Sequence, residues 1–136
     1  MGAPDAAVIL SAAMERVIVS RCRTAAPHEA CGLLLGRADQ VTVALAARNV
    51  DERPTVRYAI DPADHFAAVR RARSDGLEIL GIYHSHPAGD AAPSASDTAE
   101  AVASYLYVIV GLAPAPTVRA WRLHDGNFVA VRVVRR

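Results

Sequence analysis

Apolar and polar positions along the chain switch between two periods, and the switches lay out the elements. Ala6 to Leu10 is a short apolar run that reads as a strand. Ser11 then offers a helix N-cap, and Met14, Val17, Ile18 and Cys22 fall on one stripe of an amphipathic helix that must end before Pro27. Two strands follow, around Ala30 to Arg37 and Val41 to Arg48; in the second, Val41, Val43, Leu45 and Ala47 alternate with their neighbours. Asn49 to Thr55 is a polar loop, and Arg57 to Ile60 is expected to form another short strand. Asp61-Pro62-Ala63-Asp64 has the form of a helix start, and that helix is expected to turn Phe66 and Val69 inward and to stop near Gly76. Leu77 to Tyr83 is almost wholly apolar, as suits a central strand covered on both faces. A loop rich in Gly, Ala and Pro leads to a helix starting at Ser94, then to a β-rich run from Tyr105 to Leu112. Thr117 to His124 and Asn127 to Val134 flank Asp125-Gly126, a strong hairpin signal.

The predicted order is β-α-β-β-β-α-β-α-β-β-β, an α/β fold with a mixed sheet packed by helices. No internal repeat or long linker divides residues 1–136, so one domain is expected. The tail at Arg135-Arg136 is expected to be frayed.

Composition narrows the function classes. The chain is 52% hydrophobic and 21% charged with a net charge of +1, which gives no field towards nucleic acid or an anionic membrane. All 15 basic residues are arginine, so no side chain here can receive an isopeptide-linked modifier. Cys22 and Cys31 are too few for a disulfide framework and read as small core residues. Charged residues interrupt the N-terminal stretch, and no apolar run reaches membrane-spanning length; a soluble cytoplasmic protein is the expected setting.

The chemistry concentrates in His84-Ser85-His86-Pro87 and in Ser94-Ala95-Ser96-Asp97, six residues further on. Side chains alternate on a strand, so His84 and His86 share a face at its C-terminal end. Ser85 points to the opposite face and reads as support for the strand. The S-x-x-D spacing is that of a capping box, which puts Asp97 in the first turn of the next helix. Two imidazoles from a strand end and one carboxylate from a helix start can converge on one ion, a common catalytic zinc set with a fourth position open to water. Glu29, at the mouth of a strand in Pro27-His28-Glu29-Ala30-Cys31-Gly32, is the candidate base.

The pattern E…H-S-H-P-x₆-S-x₂-D resembles the JAMM motif of the MPN+ metallopeptidases and matches it at every position. The run Glu29-Ala30-Cys31-Gly32-Leu33-Leu34-Leu35-Gly36, and Gly81-Ile82-Tyr83 leading into the histidines, are similar to the family too. The likeness covers essentially the whole chain and is greatest to short, stand-alone bacterial members. It implies that His84, His86 and Asp97 bind zinc, that Glu29 is the general base, and that Ser94 stabilises the tetrahedral oxyanion. It also implies the family fold, related to cytidine deaminases, and a substrate class of ubiquitin-like sulfur-carrier proteins trimmed after a C-terminal Gly-Gly. Asn49 and Tyr58 stand where short members often carry Asn and Tyr; packing, loop closure and catalysis stay open for both.

Other features read as structure. His28, His65 and His124 have no partner at ligand spacing, the arginines at 70, 71 and 73 form a solvated helix face, and Trp121 is assigned to the core. A small-molecule zinc amidase and a non-catalytic zinc-binding module remain as alternative functions. A nucleotide deaminase is disfavoured because the chain lacks a P-C-x-x-C motif.

Overall fold

The computed structural model describes residues 6–136. Ten elements follow one another: β1 (Ala7–Ile9), α1 (Ala12–Ala25), β2 (Cys31–Arg37), β3 (Gln40–Ala47), α2 (Pro62–Asp75), β4 (Glu78–His86), α3 (Ala95–Glu100), β5 (Leu106–Gly111), β6 (Thr117–His124) and β7 (Asn127–Val134). The strands form one mixed sheet in the order β1-β3-β2-β4-β5-β6-β7, which closes on itself because β1 pairs at both ends. Closure is uneven. β1 runs parallel to β7 over three residues but meets β3 only at Ile9 and Gln40. Among the described residues, most of the outer edge of β3 therefore has no strand beside it; there Arg21 of α1 donates to the Ala44 carbonyl at 2.9 Å and to the Tyr83 hydroxyl at 3.3 Å.

The continuous apolar run of β2 is explained by helices on both sides of the sheet. Leu34 packs with Ile18 and Cys22 of α1, Tyr83 and Val108. Leu33 and Leu35 face the other way, onto Ala68 and Ala72 of α2. β4 lies between β2 and β5, antiparallel to the first and parallel to the second, with His84 level with Cys31 on one side and Ile109 on the other. No helix among the described residues is long and apolar enough to cross a membrane.

Local signals hold where capping chemistry decides them. Ser11 accepts from the Met14 amide and starts α1; Asp61 accepts from the Ala63 amide and starts α2, which Gly76 ends in the left-handed conformation. Asp125 and Gly126 both have positive φ, 51° and 81°, as a tight hairpin between β6 and β7 requires.

Four expectations are corrected. Phe66 and Val69 do not face inward: they are 64% and 37% exposed, and α2 presents Ala68 and Ala72 to the sheet. Alanines let the helix axis come close to a sheet face already filled by leucines, and Phe66 instead lies under the Arg70 guanidinium, 5.9 Å from its ring centre. Arg57 to Ile60 is not a strand; only an isolated bridge links Ile60 to Asn49. Arg135 is not loose, because its guanidinium pairs with Glu15 on α1. Trp121 is half-buried rather than core, its indole N–H donating to the Ala91 carbonyl at 3.0 Å and Arg119 stacking on its ring.

Gly81 marks the closest approach of β4 to β5, since a Cβ there would lie 1.8 Å from the Leu106 carbonyl oxygen. Backbone cannot yield as a flexible side chain can. Gly81→Ala is expected to cost at least about 2 kcal/mol in denaturant unfolding. Gly89→Ala, whose nearest contact would be 3.7 Å away, should stay within about 0.5 kcal/mol.

Candidate metal centre

The end of β4 carries three polar residues in strict alternation. His84 and His86 point to one face. Ser85, on the other, accepts a hydrogen bond from the Ala30 amide at 2.9 Å, while its own amide donates to the Ala30 carbonyl at 3.1 Å. This clasp fixes the chain entering β2, and with it Glu29, against the histidine strand.

After the turn, α3 opens with a complete capping box. Ser94 Oγ accepts from the Asp97 amide at 3.0 Å, and Asp97 Oδ2 accepts from the Ser94 amide at 2.9 Å. The box aims the Asp97 carboxylate back at β4. Its Oδ1 lies 3.1 Å from His84 Nε2 and its Oδ2 lies 3.0 Å from His86 Nε2, and the two imidazole nitrogens are 3.3 Å apart.

These spacings suit one small cation. Ligand atoms about 2.0–2.1 Å from a tetrahedral zinc stand about 3.3 Å from one another. The orientation of His86 suits it as well: Nδ1 lies 2.8 Å from the Asp90 carbonyl, which can only accept, so Nδ1 carries a proton and Nε2 would be the nitrogen to ligate a bound metal. His84 is fully buried, stacked on Tyr58 with ring centres 4.4 Å apart. His84, His86 and Asp97 thus form a group able to hold a metal ion.

Electrostatics sort the groups into roles. Burial works against the charge on Asp97, but hydrogen bonds from His84, His86 and the Ser94 amide hold its carboxyl far below the usual range. Burial drives His84 towards the neutral form, against the pull of Asp97. At His86 burial acts in the same sense but is outweighed by Asp97 and the Asp90 carbonyl, so its pKa rises. Glu29 is 5% exposed, and burial raises its carboxyl to about 7, with His86 opposing and Asp97 and Asp51 adding to the rise.

Glu29, His86 and Ser94 line one open cavity of about 260 Å3, together with Val56 and Pro87. A larger cavity of about 520 Å3 lies on the α1 side of Glu29 but contains none of the three candidate ligands. The five residues singled out from sequence are therefore gathered at one end of the sheet. His28, His65 and His124 stay outside the group, His124 beside Asp125 at 3.3 Å. One contribution had no sequence signal, because the Asp90 carbonyl is backbone. Tyr58, for which the sequence leaves packing, loop closure and catalysis open, packs its ring on His84.

Comparison with known proteins decides the family. Residues 11–124 match the family described as prokaryotic homologs of the JAB domain. The chain belongs to this family. As a JAB-family protein it is a metallopeptidase of the JAMM type. It is 39% identical over 109 residues to a probable TtuB-protein conjugate cleaving protease of Thermus thermophilus, covering 80% of this chain and 71% of that one. A desampylase of Haloferax volcanii is 35% identical over 110 residues, with 79% of each chain covered. The CysO-cysteine peptidase of Mycobacterium tuberculosis is 31% identical over 125 residues, covering 88% of this chain and 84% of that one. Among solved structures, one from Desulfitobacterium hafniense superposes with a TM-score of 0.86 at 31% identity, covering 95% of this chain and 92% of that one. A JAB1/MPN domain protein of Archaeoglobus fulgidus, at 19% identity and TM-score 0.59 over 95% and 98% of the two chains, shares the fold.

The burial of Glu29 has a consequence for this JAB domain once metal is chelated away. A free glutamate ionises near 4.5 and Glu29 near about 7, so between these values the unfolded chain releases a proton that the fold keeps. Stability is whole below pH 4.5, falls as pH rises to 7 and stays reduced above. Glu29→Gln removes that loss. With chelator present, the variant should melt above the parent at pH 8, by an amount on the order of 2–3 kcal/mol, and the gap should close near pH 4. A gap that does not change with pH would contradict this account of Glu29.

Proposed function

We propose that the chain, acting as a single catalytic domain in the cytoplasm, hydrolyses the bond after the C-terminal Gly-Gly tail of a ubiquitin-like sulfur-carrier protein, with zinc held by His84, His86 and Asp97. The observation that carries this reading is that Glu29 and Ser94 line one cavity with His86, which belongs to the His84–His86–Asp97 group. The names of the relatives, which cleave TtuB conjugates and CysO-cysteine, support the substrate class. Reduced, buried Cys22 and Cys31 fit a cytoplasmic setting.

Zinc bound there would supply a Lewis acid and lower the pKa of water towards about 7. The protein does the rest. Glu29, buried and lining the cavity beside His86, takes the proton of the attacking water and returns it to the leaving amine. Ser94 Oγ already accepts from the Asp97 amide, which leaves its hydroxyl proton free to donate to the oxygen that becomes negative. The Asp90 carbonyl holds the His86 imidazole, and the capping box holds the Asp97 carboxylate, in the ligating orientation.

Three measurements test the reading. Elemental analysis should find about one zinc per chain, weakening below pH ~6 as the histidines protonate. Glu29→Gln should keep that zinc while kcat falls about 10²–10⁴-fold; loss of metal together with activity would make Glu29 a ligand instead. Mass spectrometry should also show the zinc-loaded enzyme removing a residue or short peptide added beyond the Gly-Gly of the cognate carrier. Replacement of the last glycine should block cutting, because only a side-chain-free backbone can approach closely in a narrow groove. An intact carrier, with small acyl amides hydrolysed instead, would overturn the substrate assignment in favour of an amidase.

A further inference from the structure

Between β3 and α2 the chain has no regular structure, yet one side chain organises it. Asn49 Nδ2 donates to the carbonyls of Glu29 and Arg57, each at 3.0 Å, with the Pro54 carbonyl at 3.5 Å. Asn49 Oδ1 accepts from the amides of Asp51 at 3.0 Å and Ala59 at 3.1 Å. Three carbonyls on one side and two N–H groups on the other allow a single orientation of the amide. The Glu29 amide donates to the Pro54 carbonyl at 2.7 Å, so both backbone polar groups of Glu29 end on this loop.

The carboxyl of Glu29 has no comparable anchor. Its Oε1 is buried, and no donor among the described residues reaches it. Its place beside the histidines is therefore set by the backbone at residue 29 and by packing. The same loop stacks Tyr58 on His84, and its Arg57 reaches Glu100 at the far end of α3 at 3.3 Å. It touches the Glu29 backbone, the His84 ring and the end of α3, and Asn49 holds its two ends together.

We propose that Asn49 is a positioning residue for Glu29, acting on proton transfer through the Glu29 carbonyl without touching substrate. The inference rests on the role given to Glu29 above. Aspartate is the informative replacement. It keeps the acceptor for Asp51 and Ala59 but sets a carboxylate oxygen against three carbonyls, breaking the links to Glu29, Arg57 and Pro54 together.

Asn49→Asp in the zinc-loaded enzyme should lower kcat about 10–100-fold, the effect of a displacement of about 1 Å at a reacting group, with KM for the extended carrier changed less than about threefold. Zinc content should not change. In the Glu29→Gln background the same substitution should cost nothing further, because the group it positions is already gone. Independently of activity, amide exchange at Glu29 should accelerate while the β4 and β5 amides keep their protection. Equal losses of kcat in both backgrounds, or unchanged exchange at Glu29, would overturn the proposal. If Glu29→Gln proves fully active, the assignment of the base fails, and the exchange measurement alone decides whether Asn49 anchors residue 29. Should Asn49→Asp not fold, Asn49→Ser, uncharged and too short to span the carbonyls, takes its place in every arm.

Discussion

One carboxylate shared by two imidazoles is the constraint on which the rest of this structure turns. Asp97 can serve both His84 and His86 only if β4 ends where α3 begins, and only if the helix start is rigid enough to aim a short side chain. Burying two imidazoles and a carboxylate in an apolar sheet is unfavourable unless each polar atom finds a partner. The partners come from three sources: the capping box on Asp97, the Asp90 carbonyl on His86, and the aromatic face of Tyr58 on His84. Among the described residues, neither His84 Nδ1 nor Glu29 Oε1 has a protein donor or acceptor. A protein that leaves buried polar atoms without partners beside a ligand set has put chemistry ahead of stability there.

The closed sheet makes that expense tolerable. β2, β4 and β5 are covered on both faces, and their parallel and antiparallel pairings fix His84 level with Cys31 and Ile109. Rigidity reaches Glu29 through the Ser85–Ala30 clasp, so the strand that carries the histidines also locates the base. Ser85 therefore supports more than its own strand.

What could be read from the sequence followed from chemistry that is local in the chain. The S-x-x-D spacing, the alternation around Ser85 and the caps at Ser11 and Asp61 each depend on neighbours within a few residues, and each appears in the structure as expected. The placement of Phe66 and Val69 failed because helical periodicity identifies a face without saying which face the sheet will take; Ala68 and Ala72 allowed a closer approach. Arg57 to Ile60 reads as a strand because Val56 to Ile60 is rich in β-formers, while the order of this loop comes from one asparagine bonded to residues up to 20 positions away. The contact of Arg135 with Glu15, 120 positions apart, has no local trace at all.

The unpartnered outer edge of β3 also bears on how this molecule behaves in a crowded cell. A bare strand edge is a template for another chain's backbone, and sheet proteins that leave one open tend to stack through it. Here Arg21 reaches across from α1 and occupies the Ala44 carbonyl, placing a charge where an incoming strand would need to pair. The same guanidinium steadies Tyr83 in the core beside the histidine strand. A single arginine thus occupies part of that edge while bracing the interior, and on general grounds its charge there works against pairing with a second strand.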